Sequence, residues 1–186
     1  MSSILKVDQL QDSGGNNLVT SNGSGVITAA GFGKIGQVKQ TTSDVNTTIA
    51  TTSFTELTEY ATTITPSSTS SKILIMAAMT GGGVASSSNV SFRLRRNSTD
   101  IALSTTATGN RQNISFGALY QQDDNTLANA NFQFLDSPAT TSEITYRIMA
   151  AGSNTTTARI NATANDNDQA YGYRAVSTLT LMEILP

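Results

Sequence analysis

Alternation of apolar and polar residues predicts β-strands along most of the chain. The segment NVSFRLRRN alternates cleanly, with Val90, Phe92 and Leu94 on one face and serine or arginine on the other. Because successive side chains of a strand point to opposite faces, this pattern predicts one face on a core and one towards solvent. The last stretch, STLTLMEILP, alternates in the same way and places Leu179 and Leu181 on one face. The chain therefore ends on a predicted strand.

Other segments complete the predicted strand series. The run KILIMAAM, residues 72–79, is uninterrupted and apolar, and it is short enough for a buried central strand. In SFTELTEYATTITP the apolar residues Phe54, Leu57 and Tyr60 are three positions apart, so the alternation is imperfect and a β-bulge would account for it. The remaining strand candidates are KIGQVKQ, NISFGALY, NANFQFLD, EITYRIMAAG and ARINATA. No segment has the apolar period of 3.6 that indicates a helix.

The strand spacing predicts the fold class. Strands about ten to fifteen residues apart, separated by turn signals, are typical of antiparallel sandwiches and barrels. We predict an all-β domain over residues 34–186, an antiparallel jelly-roll-like β-sandwich of about eight to ten strands. Its predicted core or interface positions are Ile73, Ile75, Phe92, Leu94, Phe132, Phe134, Ile144, Tyr146, Leu179 and Leu181.

Residues 1–33 differ from the rest of the chain. Three short apolar clusters are separated by GGN and NGSG, which are strong turn signals, and Gly31-Phe32-Gly33 follows as a predicted hinge. Clusters this small cannot bury enough apolar area to fold alone, so we expect them to pack on the rest of the chain, on sister chains or on a different protein. A flexible leader is the alternative. The candidate docking residues are Ile4, Leu5, Val7, Leu18, Val19, Val26 and Ile27.

Composition favours a folded protein and removes several function classes. Only 13% of the residues are charged, but 38% are hydrophobic and the net charge is −2, which is unlike a disordered chain. A chain without surplus positive charge is poorly suited to nucleic acid. No apolar run approaches membrane-spanning length, and the N-terminus lacks the pattern of a signal peptide. We therefore expect synthesis in the cytoplasm, no membrane insertion and no nucleic-acid partner.

Candidate chemistry is sparse. The chain contains neither histidine nor cysteine, so serine nucleophiles lack their commonest base and thiolate metal sites are excluded. No pair of carboxylates is fixed by spacing, and we predict no enzyme and no cofactor. The stretch NDND, with Asp166 and Asp168, offers oxygen ligands for a hard cation but fails the EF-hand spacing, so a plain turn is favoured. Arg93, Arg95 and Arg96 form a basic cluster. A solvated face is favoured for it, with carboxylate pairing across a subunit interface or an anionic glycan as alternatives.

The N-terminal stretch MSSILKVDQLQDSGGNNLVTSNGSG resembles a segment of many structural proteins of marine and cyanobacterial tailed phages, in which the pattern ILKVD.IQD..G recurs. ITPSSTSSKILIM, NFQFLDSPATTSEITYRI and STLTLMEI resemble the β-rich C-terminal domain of tail-fibre-like and virion-decoration proteins from the same phages. The resemblance covers most of the chain and is weakest over residues 83–122.

This resemblance implies a homotrimeric, non-enzymatic protein on the virion exterior, assembled in the host cytoplasm and docked on other virion proteins through residues 1–33. The chain lacks the shaft or collagen-like repeats of long fibres, which favours a short fibre, a knob or a capsid decoration. The alternative is a glycan-binding module of a tail fibre, recognising a host surface sugar through loop Asn, Asp and Tyr residues.

Overall fold

A computed structural model describes residues 7–21, 23, 27–29, 34–83, 89–106, 108–120, 123–155 and 157–186, and no helix occurs in these ranges. All strand pairs among them are antiparallel. The strands are β1 (Gln9–Gln11), β2 (Asn17–Ser21), β3 (Ile27–Ala29), β4 (Ile35–Ser43), β5 (Thr47–Ile49), β6 (Thr55–Ile64), β7 (Lys72–Gly83), β8 (Asn89–Arg96), β9 (Thr99–Ile101), β10 (Phe116–Tyr120), β11 (Ala128–Asp136), β12 (Ile144–Gly152), β13 (Ala158–Ile160) and β14 (Ser177–Ile184).

Two sheets form a β-sandwich from residue 34 onward, which confirms the predicted all-β class. The first sheet has six strands in the order β4-β14-β7-β13-β5, with β11 paired to β7. The second has five strands in the order β10-β8-β12-β6, with the short β9 paired to β8. The strand β7 is central, since β14 and β11 pair along its two edges. The apolar run that predicted a central strand lies in it.

The core lies between the two sheets, and the predicted core positions face it. Eight of these positions are at most 1% exposed; they are Ile73, Ile75, Phe92, Leu94, Ile144, Tyr146, Leu179 and Leu181. The other two, Phe132 and Phe134 on β11, are half-buried and pack against the core. They continue a column of stacked rings from Phe92 through Phe116, with centroid separations of 4.9, 5.0 and 6.3 Å. Stacked aromatic pairs add to the free energy gained by burying their area.

The irregular apolar spacing in β6 reflects an interruption of its pairing. The register between β12 and β6 shifts between Arg147 and Met149, whose partners are Ala61 and Glu56. Extra residues on β6 are accommodated there, so Leu57 and Tyr60 are both buried although they are three positions apart. The structure therefore confirms the irregularity inferred from the sequence.

The last strand is enclosed rather than loose. The strand β14 pairs with β4 on one side and β7 on the other. Beyond it, the Leu185 N–H donates to the carbonyl of Lys34 at 2.7 Å, and the Lys34 ammonium donates to the carbonyl of Pro186 at 2.7 Å. The C-terminus is thereby fixed beside the residue at which the sandwich begins.

A separate three-stranded sheet precedes the sandwich, in the order β1-β2-β3. Its register places Leu10 opposite Val19, and Val19 opposite Ala29. The first connection turns at Gly15, whose φ of 82° suits glycine. This is the turn that GGN predicted. The predicted hinge at residues 31–33 lies outside the described residues.

Candidate interaction surfaces

The N-terminal sheet exposes its apolar side chains. Val7 is 57% exposed, Leu10 54% and Leu18 41%, and only at Val19 does the chain become half-buried. Residues 7–18 are all exposed, so the apolar residues of β1 and the start of β2 are not covered by the sandwich. A three-stranded sheet needs a covered apolar face to be stable. The described apolar side chains of β1 and the start of β2 form no such covered face.

The predicted docking residues fall partly within this sheet. Leu18 and Val19 lie on β2, and Val7 precedes β1 by two positions. The backbone of Ile27 begins β3 and pairs with Ser21. The predictions for Ile4, Leu5 and Val26 lie outside the described residues. Sequence reasoning missed Leu10, although it is an apolar residue three positions after Val7.

The first connection of the N-terminal sheet is locally ordered. The carboxylate of Asp12 accepts hydrogen bonds from the main-chain N–H groups of Gly14 at 2.8 Å and Asn16 at 2.9 Å, and from the Asn16 side chain. The hydrogen bond from the Asn16 side chain is the largest of the contributions that lower the pKa of Asp12. The turn is therefore built for an ionised aspartate.

The outer face of β4, β14, β7 and β11 carries an apolar row. In register, Val38 lies opposite Met182, Met182 opposite Leu74, and Leu74 opposite Leu135. Antiparallel partners share a face, so these four residues cross the sheet side by side. Val38 is 51% exposed and Leu135 47%, while the two central residues are half-buried. We call these four residues the apolar row.

A depression lies beside the apolar row on the same face. Its volume is about 240 Å³, and its lining includes Met76, Ala78, Asn131, Thr178 and Thr180. Small side chains on the central strands leave this space between longer neighbours. A cavity of about 150 Å³ is enough to hold a benzene molecule, so the depression is large enough to receive an aliphatic side chain.

This face of the first sheet is also free of charge over a wide area. Its described positions between the ends of the four strands are Val38, Gln40, Thr42, Thr178, Thr180, Met182, Leu74, Met76, Ala78, Thr80, Asn129, Asn131, Gln133 and Leu135. On the described part of this face, charged residues lie at its ends, with Lys72 at one end and Arg159 at the other. We call the area between them the uncharged face. Depletion of charge distinguishes the cores of protein interfaces from other surfaces.

The second sheet presents a charged outer face. Arg93 and Arg95 on β8 contact Asp100 at 3.2 and 2.6 Å, and Arg147 on β12 contacts Glu56 at 3.0 Å. Burial acts to raise the pKa of Asp100, but hydrogen bonds and charge from Arg95 and Arg93 outweigh it and hold that pKa below its ordinary value. The basic cluster predicted from the sequence is therefore paired within the chain.

The third arginine of the cluster contacts a different carboxylate. Arg96 donates from one guanidinium nitrogen to both oxygens of Asp136, at 2.9 and 2.8 Å. The buried hydroxyl of Tyr146 donates to the same carboxylate at 2.6 Å. Burial, followed by the hydrogen bond to Asp136, raises the pKa of Tyr146. This cluster joins β8, β11 and β12.

A buried carboxylate lies on the inner face of the last strand. Glu183 is 1% exposed and follows Leu179 and Leu181 on the same face of β14. It accepts from the Gln37 side chain at 2.8 Å and from the N–H and hydroxyl of Ser67 at 2.6 and 2.7 Å. Burial acts to raise the pKa of Glu183, but these donors outweigh it and lower the pKa to about 2. The buried carboxylate thus joins β14 to β4 and to the loop before β7.

The buried side-chain amide of Asn161, directly after β13, contacts residues of β4, β6 and β14. Asn161, with φ of 64°, donates to the carbonyls of Ser43 and Val45 at 3.0 Å. Its amide nitrogen is also 2.7 Å from the Tyr60 hydroxyl, and its oxygen accepts from Ser177 at 2.6 Å. Every partner in this network belongs to the sandwich, so its role is structural.

The aspartate-rich turn at residues 165–168 is held by ion pairs. Asp166 contacts Arg174 at 2.6 Å and Arg159 at 3.8 Å, and it accepts from the Asn46 side chain at 2.7 Å. Among the described residues, no group of three or more acidic side chains is placed to hold a metal ion. Nearby on the same loop, Tyr171 is 48% exposed and Tyr173 53%.

Comparison with protein-family models and with curated proteins finds no match for this sequence. Within the part of the chain that the structure describes, no helix is long and apolar enough to cross a membrane.

Proposed function

We propose that this chain is a non-enzymatic structural protein of a tailed-phage virion, assembled in the host cytoplasm. In this proposal it is a short trimeric fibre or a capsid decoration, docked on the particle through residues 1–33. The sandwich of residues 34–186 faces outward. The phage-like sequence patterns at the N-terminus and in the sandwich motivate the proposal.

The exposed N-terminal sheet is the observation that carries it. Three short strands, of which β1 and the start of β2 expose their apolar residues, gain too little by pairing with one another to be stable in water. Addition to the sheet edge of a virion protein would satisfy backbone groups and cover Val7, Leu10, Leu18 and Val19. Hydrogen bonds to Asp12 order the turn between β1 and β2, and this favours a preformed binding element over a flexible leader.

We further propose that the sandwich is a jelly roll, and its pairing pattern supports this topology. Among its strands of five or more residues, β4 pairs with β14, β6 with β12, β7 with β11 and β8 with β10. The first of these strands thus pairs with the last, the second with the second to last, and so on to the middle pair. This pattern results when one long hairpin folds over into two sheets. Jelly rolls are common in viral capsid proteins.

Deletion of residues 2–30 tests the docking role. The truncated protein should keep a folded sandwich by circular dichroism but should no longer join particles. A matched pair of point variants sharpens the test, because Val7 is 57% exposed in the N-terminal segment and Val176 is 55% exposed on the sandwich. Val7→Asp should lower occupancy on particles and Val176→Asp should not. Normal occupancy of the truncated protein would assign attachment to another part of the chain.

The trimer is a separate part of the proposal. Oligomerisation would cover strand edges that otherwise invite uncontrolled pairing. Light scattering should return three times the chain mass of 19.5 kDa at micromolar concentration. A monomer mass under those conditions would contradict it.

Glycan binding is the second candidate, because two tyrosines are exposed on one loop. Tyr171 and Tyr173 lie beside Arg174 and the ion-paired Asp166, and aromatic faces with polar neighbours suit sugar rings. A fibre tip of this kind would bind host cells, and the double variant Tyr171→Ala/Tyr173→Ala would not. A pure decoration would leave the cells unlabelled in both forms.

A further inference from the structure

We propose that the uncharged face is where copies of this chain meet, with the apolar row of one copy seated against the depression of the next. The proposal rests on the trimer proposed above and names the surface that forms it. The partner is a second copy of this chain, and three such contacts would close a ring.

The two outer faces of the sandwich differ in a way that selects one of them. The second sheet carries Arg93, Arg95, Arg147 and Glu56, as expected of a face in water. The uncharged face instead carries four apolar residues in a row across all its strands. An apolar patch rimmed by polar residues on one face of a sheet marks an interaction site.

A second copy suits this face better than a charged partner does. Both halves of the proposed contact lie on this one face, so a face with charge of one sign would bring like charges together. The uncharged face avoids this repulsion. It also carries both an apolar projection and a depression, with Met182 near the centre of the row and Ala78 in the lining of the depression. The face therefore offers both halves of a copy-to-copy contact.

The size of the face sets the expected strength. Four strands about 4.8 Å apart and seven residues of about 3.4 Å each give a face of about 450 Å². A standard interface buries about 800 Å² on each partner, so one contact of this size is weak. In a closed ring the row would contact one neighbour and the depression the other, so the two contacts of each copy share this area. We therefore expect association at micromolar rather than nanomolar concentration in solution.

The position of the face explains how a weak contact would suffice on a particle. Lys34, where the N-terminal segment joins the sandwich, lies at the same end of the sheet as the apolar row, four residues before Val38. Copies docked through their N-terminal segments would hold these rows near one another. Such tethering raises the effective concentration to about the millimolar range.

A matched pair of variants of the full-length chain tests the proposal. Val38 is 51% exposed in the apolar row, and Val45 is 49% exposed beyond the end of the same strand. Val38→Glu should raise the midpoint concentration of dissociation, measured by sedimentation equilibrium, by at least about tenfold, because an unpaired carboxylate would be buried. Val45→Glu should leave it unchanged. Equal midpoints for Val38→Glu and the wild type would overturn the proposal.

Cysteine cross-linking tests the pairing of row with depression. The natural chain has no cysteine, so introduced thiols are the only ones present. Met182 pairs with Leu74, and Ala78 is four residues further along β7, about 13 Å away, so no disulfide can form within one chain. The double variant Met182→Cys/Ala78→Cys should form covalent oligomers on mild oxidation. Dimers from Met182→Cys alone would show row against row and overturn the pairing.

The outcomes separate this inference from the proposed function. A wild-type chain that remains monomeric overturns both the trimer and this contact. If Val38→Glu then also lowers particle occupancy, the uncharged face binds a virion protein instead. A wild-type trimer that Val38→Glu leaves intact overturns the contact alone, while particle attachment is tested separately by the deletion of residues 2–30.

Discussion

The buried carboxylate of Glu183 makes the stability of the sandwich depend on pH. It is 1% exposed and has no cation among its hydrogen-bond donors, which are Gln37 and Ser67. Glu183→Gln keeps the shape of the side chain and removes its charge. In the variant, an NH₂ group replaces one carboxylate oxygen. This NH₂ group faces a hydrogen-bond donor, although the oxygen that it replaces accepts a hydrogen bond there. We expect the variant to fold but to be less stable at pH 7.

The magnitude follows from the pKa of Glu183. A pKa lowered from 4.5 to about 2 corresponds to about 3 kcal/mol, at about 1.4 kcal/mol for each tenfold change in proton affinity. Because the folded pKa lies below the unfolded pKa, this stabilisation is fully present above about pH 5 and is lost as the pH falls towards 2. The wild type should therefore lose about 3 kcal/mol more than Glu183→Gln between pH 7 and pH 2, of which about 2 kcal/mol is lost by pH 3.

Urea denaturation at pH 7, 5, 4 and 3 measures the effect. The other carboxylates titrate in both proteins, so the difference in the free energy of unfolding between wild type and variant isolates Glu183. That difference should be largest at pH 7 and should shrink as the pH falls. Glu143→Gln, which removes one negative charge at an exposed position just before β12, is the control for net charge. A difference that stays constant from pH 7 to pH 3 would refute the assignment of a lowered pKa to Glu183.

Three further predictions concern the free energy of unfolding measured by denaturant titration. Tyr146→Phe removes the 2.6 Å hydrogen bond to Asp136 and should cost about 1–2 kcal/mol. Asn161→Ala leaves the carbonyls of Ser43 and Val45 without their buried donor and should cost at least about 2 kcal/mol. By contrast, Arg147→Ala breaks a more exposed ion pair and should cost less than about 1 kcal/mol, so equal losses in all three variants would contradict this ranking.

Much of the fold could be predicted from the sequence because strand periodicity is local. Val90, Phe92 and Leu94 alternate with polar residues, and their burial follows directly from that pattern. The run at residues 72–79 identified β7 as central. It did not reveal that Leu74 and Met76 face outward, because an uninterrupted apolar run carries no information about which face is covered.

The polar interior could not be predicted because its partners are distant in sequence. Glu183 lies 146 residues from Gln37, and Asn161 lies 118 residues from Ser43. The alternation with Leu179 and Leu181 places Glu183 on the inner face, but only the fold supplies its donors. The same holds for the apolar row, which is formed by cross-strand register between four strands rather than by any one segment.

A reconstruction of the particle that carries this protein tests the central proposal most directly. We predict three sandwiches around a local threefold axis, with the N-terminal sheet of residues 7–29 against a virion protein and the loop of Tyr171 and Tyr173 towards solvent. The uncharged faces should lie at the contacts between copies. Single sandwiches, or a sandwich packed on the virion with a free N-terminal sheet, would contradict the proposal.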